Sequence, residues 1–193
     1  MTTIALKRTR RSRLAEFCGK WSAQELIIIG VFAATAKVST VLIAMVGGGM
    51  NPLSLLLKNM VFTTLLVVML FKVRQEGTLC LFVIVSSVVN FLLLGGNLTL
   101  IPPMLLAALI AEVLMKIIQK QGFPGAVYWG VGCFDLLCKA GSLAISFLMM
   151  RESPALMAAV VPIVVIGYIG SLIGLWTGAK SIKELRHAGL IRF

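Results

Sequence analysis

Long apolar runs, broken at short intervals by glycine, proline and charged residues, set the pattern of this chain. The runs are continuous rather than alternating, which excludes the period-two pattern of a membrane β-barrel, and a helix needs roughly 20 apolar residues to bridge the hydrocarbon layer. Six helices are predicted, over 24–46, 51–71, 77–94, 100–119, 123–150 and 154–179. Glu76 and Glu112 bound a stretch without charge that is too long for one crossing; Gly95-Gly96-Asn97 and Pro102-Pro103 divide it in two. The other breaks are Gly47-Gly48-Gly49-Met50-Asn51-Pro52, Glu76-Gly77, Gln121-Gly122 with Pro124, and Glu152-Ser153-Pro154, all of turn-forming chemistry. No internal repeat is visible and nothing remains for a soluble domain. The expected organisation is a basic arm over 1–23, a six-helix transmembrane domain over 24–179 and a basic tail over 180–193.

Composition agrees with a lipid environment. Of 193 residues, 59% are hydrophobic and 13% charged, against about 25% charged in a typical soluble domain, and the mean hydropathy is +1.01. The 18 Lys and Arg outnumber 7 acids, a net +11 that in a soluble protein would point to nucleic acid. Here their positions follow topology instead. Lys7, Arg8, Arg10, Arg11, Arg13 and Lys20 precede the first span, Lys72 and Arg74 follow the second, Lys116 and Lys120 end the fourth, and Lys180, Lys183, Arg186 and Arg192 follow the sixth. The odd-numbered connections hold only Arg151, beside Glu152. Basic residues near span ends stay in the cytoplasm, so both termini are expected inside. Trp21, Trp129 and Trp176 fall near the same cytoplasmic ends, where indole prefers the headgroup level. The long basic arm, with no cleavage site after the first run, does not fit a secretory signal; it suits anionic lipid, and no nucleic-acid partner is expected.

Chemistry-bearing motifs are few. Cys18, Cys80, Cys133 and Cys138 have no metal-ligand spacing, and the single His, His187, lies in the tail, so no metal site and no cofactor is expected. No nucleophile–base pair, paired carboxylate or Walker loop is present, so the chain is expected not to be an enzyme; any ATP hydrolysis would reside in another subunit. The spans do contain Lys37, Lys58, Glu112, Asp135 and Lys139. A charge at a helix centre costs about 2.5–3.5 kcal/mol on insertion scales, so these face protein or water. Asp135 with Lys139, and Glu112 with Lys116, are i,i+4 neighbours able to pair on one helix face. Lys37 and Lys58 then lack partners within their own helices, which leaves a positive potential that an anionic ligand would fit; the alternative is that Lys58 snorkels to the outer headgroups and Lys37 pairs with Asp135.

Small residues four apart mark close helix crossings in lipid. Gly170, Gly174 and Gly178 form one row; Gly30 with Ala34, and Ala36 with Thr40 and Ala44, form two more on the first span. One of these can pack internally while another receives a partner.

The basic arm leading into Glu25-Leu26-Ile27-Ile28-Ile29-Gly30-Val31-Phe32-Ala33-Ala34, the Gly/Asn-Pro turn at Gly49 to Pro52, six short-looped spans, and Gly170-x-x-x-Gly174 before Lys183-Glu184-Leu185-Arg186-His187-Ala188-Gly189-Leu190 resemble a substrate-binding S component of an energy-coupling factor (ECF) transporter. Within that superfamily the chain looks most like the Trep_Strep, or MptE-type, group. The resemblance implies capture of a vitamin-like or metal-related small molecule from outside a bacterial or archaeal plasma membrane. It also implies docking on a T component that carries two ABC ATPases. In the family an Ala-x-x-x-Ala row on the first helix serves docking; the matching position here reads Gly30-x-x-x-Ala34. By the same analogy the Gly47 to Asn51 loop, with Asn51, together with Asn97 and Tyr168, joins Lys58, Lys37, Asp135 and Lys139 as substrate-binding candidates. Gly30, Ala34, Ala36 and Thr40 are the partner-docking candidates.

Two other functions fit the same residues. A stand-alone secondary carrier would couple to protons through Asp135 or Glu112. A non-transporting scaffold would need only the small-residue rows.

Overall fold

The structure, a computed structural model, describes residues 21–48, 51–73, 75–94, 98–121, 125–149 and 154–188. Among these lie six α-helices and a single 3-10 turn, Leu98–Leu100, with no strand. The helices are α1 (Ala23–Gly47), α2 (Pro52–Lys72), α3 (Thr78–Leu94), α4 (Ile101–Lys120), α5 (Ala126–Met149) and α6 (Pro154–His187). Several expectations fall outside the described residues: the arm with Lys7 to Lys20 and Cys18, Arg74, the turn residues Gly49, Gly95, Gly96, Asn97, Gly122 and Pro124, Arg151 with Glu152, and the tail beyond 188.

Local chemistry explains the helix starts. Ser22 opens α1 with a capping box: its Oγ accepts from Glu25 N at 3.2 Å, and its own N–H donates to Glu25 Oε2 at 2.9 Å. Asn51 caps α2, its Oδ1 accepting from Leu53 N at 3.4 Å, and Pro52 takes the first helical position, where its missing N–H costs nothing. Gly48 (φ +68°) and Gly77 (φ +92°) occupy left-handed backbone between α1 and α2 and before α3, which a side chain would disfavour. One boundary is corrected. The sixth helix does not stop at 179 but runs 34 residues to His187, about 50 Å, so the first half of the expected tail is helical.

Five helices are long and apolar enough to cross a membrane, which makes this an all-helical multi-pass membrane protein. The remaining one, α3, has 17 residues and a length of about 25 Å. Each helix packs on two neighbours in a ring ordered α1, α3, α4, α5, α6, α2, and α2 also reaches α5 across the ring. Contacts fix the directions. Trp21 lies by Gly77 and Lys37 by Asn90, so α1 and α3 run parallel. Gly130 meets Met115 and Gly141 meets Pro103, so α4 and α5 are antiparallel. Direction thus alternates from one helix to the next along the chain, while the ring neighbours α1 with α3 and α2 with α6 are parallel.

The tightest seam is α2 on α6, and its cause is legible in the residues. A Cβ on Gly170 would come within 2.5 Å of Leu56 O, one on Gly174 within 2.6 Å of Met60 O, and one on Gly178 within 3.1 Å of Val67. The glycine row therefore packs internally, backbone to backbone, and the two helices run in the same direction. Thr64 Oγ1 adds a hydrogen bond to Thr177 Oγ1 (2.7 Å) and donates to Gly174 O (3.1 Å).

Ile29, Ala33, Leu66, Val67, Met69, Leu79, Phe82, Ala108, Ala111, Val131 and Phe134 form the core. Leu42, Leu92, Leu109, Phe147 and Val165 are exposed on the perimeter. Inside and outside are equally apolar, as lipid requires; what distinguishes the interior is its small and polar residues.

Candidate functional site

A polar cluster joins α2, α5 and α6. Asp135 and Lys139, one turn apart on α5, form an ion pair whose side chains are only 9% and 15% exposed. The Lys139 ammonium also donates to Ser171 Oγ on α6 (2.9 Å), and that hydroxyl donates to Gly167 O (3.3 Å). The Tyr168 ring lies with its centroid 6.0 Å from Lys139 Nζ. Asn59 enters from α2, its amide donating to Leu55 O at 2.8 Å. Gly167 makes the convergence possible, since a Cβ there would sit 3.2 Å from Asn59 Nδ2 and 3.3 Å from Lys139 Cε.

The geometry solves an energetic problem. Two isolated charges at this depth would each be costly, but opposite charges one helical turn apart neutralise each other, and Ser171 takes a further proton of the ammonium. One turn along α2 from Asn59, Thr63 is 1% exposed, and its Oγ1 has no hydrogen-bond partner among the described residues.

Of the expected substrate residues, the structure brings together Asp135, Lys139 and Tyr168. Lys37 is elsewhere: it donates to Asn90 Oδ1 on α3 at 3.3 Å, so the expected alternative pairing with Asp135 is not made. Both lysines do point into the bundle, as their cost in lipid requires. Asn51 is an exposed helix cap eight residues, about 12 Å, from Asn59 along α2. Lys58 is half-buried on the same helix, and Asn97 lies outside the described residues.

Glu112 corrects a second expectation. It does not pair with Lys116. Its Oε1 instead accepts from Leu79 N (2.9 Å) and Cys80 N (3.0 Å), capping the start of α3 from the neighbouring helix, while Lys116 reaches Glu76 at 2.8 Å. The physical reason is competition: unpaired N–H groups in the first turn of an apolar helix need an acceptor more than an exposed lysine does. The docking candidates also divide. Ala36 is buried in the bundle, contrary to a role on an outer face, and Thr40 Oγ1 donates to Lys37 O at 2.8 Å. Gly30 and Ala34 remain on an open side of α1, where a Cβ on Gly30 would meet nothing within 4 Å.

Asn59, Ser171 and Asn90 escaped the sequence reading. Their signal was faint but present: each is a hydrogen-bonding residue within an otherwise apolar run, and each receives or accompanies a lysine of another helix.

Fold and site together define an all-helical multi-pass membrane protein with a paired charge sheltered at a three-helix junction. No family model, curated protein or solved structure matches the chain.

Proposed function

We propose that this chain is the substrate-capturing subunit of an energy-coupling factor importer. In this reading it crosses a bacterial or archaeal plasma membrane six times, with both ends in the cytoplasm. It takes a vitamin-like or metal-related small molecule from outside and delivers it inward when docked on a T component with two ABC ATPases. The alternating helix directions support six crossings, α3 included. The gathering of Trp21, Lys72, Lys116, Lys120, Trp129 and Trp176 near one set of helix ends supports the orientation.

The observation that carries the reading is the polar cluster of Asp135, Lys139, Ser171, Tyr168 and Asn59. An ammonium has three donors; Asp135 and Ser171 use two, which leaves one for an acceptor on a ligand. An aromatic face and an amide beside it supply apolar contact and orientation, the usual composition of a small-molecule site. Capture then needs no chemistry from this chain: the ligand replaces water at the cluster, and the motor subunits supply the energy that returns the bundle to its receptive state. Open space at Gly30 and Ala34 gives the T component a surface on α1 that can be approached closely.

The buried Asp135 beside Lys139 also favours a second reading, a proton-coupled carrier that works alone. One experiment separates them. The full chain is extracted from its native membrane with its partners, and small molecules released on denaturation are identified by mass spectrometry. A polar compound retained by wild type but lost from Ser171→Ala with Tyr168→Ala, in material that co-elutes with ATPase subunits, is the expected result. Uptake by the lone chain in liposomes would establish the carrier instead.

A further inference from the structure

At the opposite end of the chemistry lies a second site. The last three turns of α6 continue past Trp176, and with the end of α2 and the start of α5 they enclose a groove of about 450 Å³. Phe71 and Tyr128 form its apolar wall, their rings tilted with centroids 5.3 Å apart. Lys180, Lys183 and Arg186 line the other side, while Glu184 on the same helix does not. Trp176 closes the groove toward the perimeter and is 68% exposed there. No acid is paired with Lys180 or Lys183 among the described residues.

The geometry points to a specific site for the headgroup of an anionic phospholipid, whose phosphodiester sits between Lys180 and Lys183 and whose acyl chains leave past Trp176. Three properties select this occupant. The basic side chains share one stretch of helix end, at i and i+3, so one phosphate can reach both ammonium groups. An exposed indole one turn before them marks the level where bilayer headgroups lie, which places the groove beside lipid rather than in bulk water. And one wall is aromatic, which suits the glycerol and upper acyl region but gives nothing to a free phosphate ion. Basic pockets between membrane helices on the cytoplasmic side recognise lipid headgroups in this way.

The site is independent of the transport reading, because it requires only that the chain be embedded with this end at an interface. It also differs from the diffuse attraction of the basic arm, and the test exploits that difference. Full-length protein in neutral detergent is titrated with dioleoyl-phosphatidylglycerol or dioleoyl-phosphatidylcholine, and bound lipid is counted by native mass spectrometry. Wild type is expected to retain one phosphatidylglycerol and to prefer it over phosphatidylcholine. Lys180→Gln with Lys183→Gln should weaken that retention roughly 30-fold, taking the usual contribution of each interfacial base. Arg10→Gln with Arg11→Gln removes the same charge from the arm and should leave it intact.

Equal weakening in both double variants would mean only a general charge effect and would overturn the site. So would equal retention of the two lipids. Displacement of the bound lipid by millimolar inorganic phosphate would assign the groove to the free ion and defeat the lipid proposal.

Discussion

Asp135, Lys139 and Ser171 are worth more together than apart. Removing one member of a buried pair leaves an uncompensated charge, so Lys139→Met alone is expected to destabilise the bundle by about 3–5 kcal/mol, whereas Asp135→Leu with Lys139→Met together should cost far less. Thermal unfolding in detergent compares the two. Thr63 presents the opposite case: its hydroxyl is buried without a partner among the described residues. Thr63→Val keeps the shape and should hold stability or raise it by up to about 1 kcal/mol; a clear loss would mean that the hydroxyl is satisfied in the membrane. Glu112→Ala strips two α3 amides of their acceptor and should cost about 1–3 kcal/mol, and Glu112→Gln, which keeps an oxygen, should recover part of it. At this scale the sequence was only partly informative. An i,i+4 rule found Asp135 with Lys139, since both lie on one helix. The same rule failed for Glu112, because the competing acceptor demand came from a helix 33 residues away and left no mark on the local spacing.

Helices were far more legible than their contacts. Continuous apolar runs bounded by Gly and Pro place the starts of all six helices within three residues, because turn chemistry there is strict; Asn51-Pro52 is a helix start in sequence and in structure. The capping box of Ser22 and Glu25, which the sequence reading did not single out, starts α1 at Ala23, one residue before the expected 24. What failed was the end of α6, since Lys180 to Arg186 signal both a span boundary and a good helical surface, and helix propensity carried the element onward. Faces are harder still. In lipid both sides of a helix are apolar, so periodicity does not say which row is inside. Gly174 and Gly30 therefore make a paired test. Gly174→Leu drives a side chain into Met60 O and Thr63 and should lower stability by about 1–3 kcal/mol or more, while Gly30→Leu meets open space and should leave the isolated chain unchanged. If Gly30 does lie at the T-component surface, the second change will still abolish co-purification with the partner.

For the molecule as a whole, charge asymmetry and helix direction make one joint prediction. A cysteine introduced at Gly48 should react with an impermeant reagent from outside the cell, and one introduced at His187 only after the membrane is opened. Labelling of Gly48→Cys solely from the cytosol would invert the proposed orientation. Six crossings is an inference from composition; five of the described helices are long and apolar enough to cross, and α3 is the shorter one. The candidate site was less accessible, because it consists of a handful of polar atoms whose convergence depends on how three separate helices are rotated.

The seam between α2 and α6 has a mechanical consequence. With carbonyls at near-contact distance from Gly170 and Gly174, the Val67 side chain against Gly178 and a threonine pair stitched across, these two helices form a single stiff spar. Sliding or parting them would forfeit all of those contacts at once, so breathing of the bundle is confined to looser joints, where α5 leans on α6 through the Lys139 hub and α1 leans on α3 through Lys37 and Asn90. If the chain acts as the proposed importer subunit, a passage is expected to open along one of those edges, hinged on a beam that does not bend.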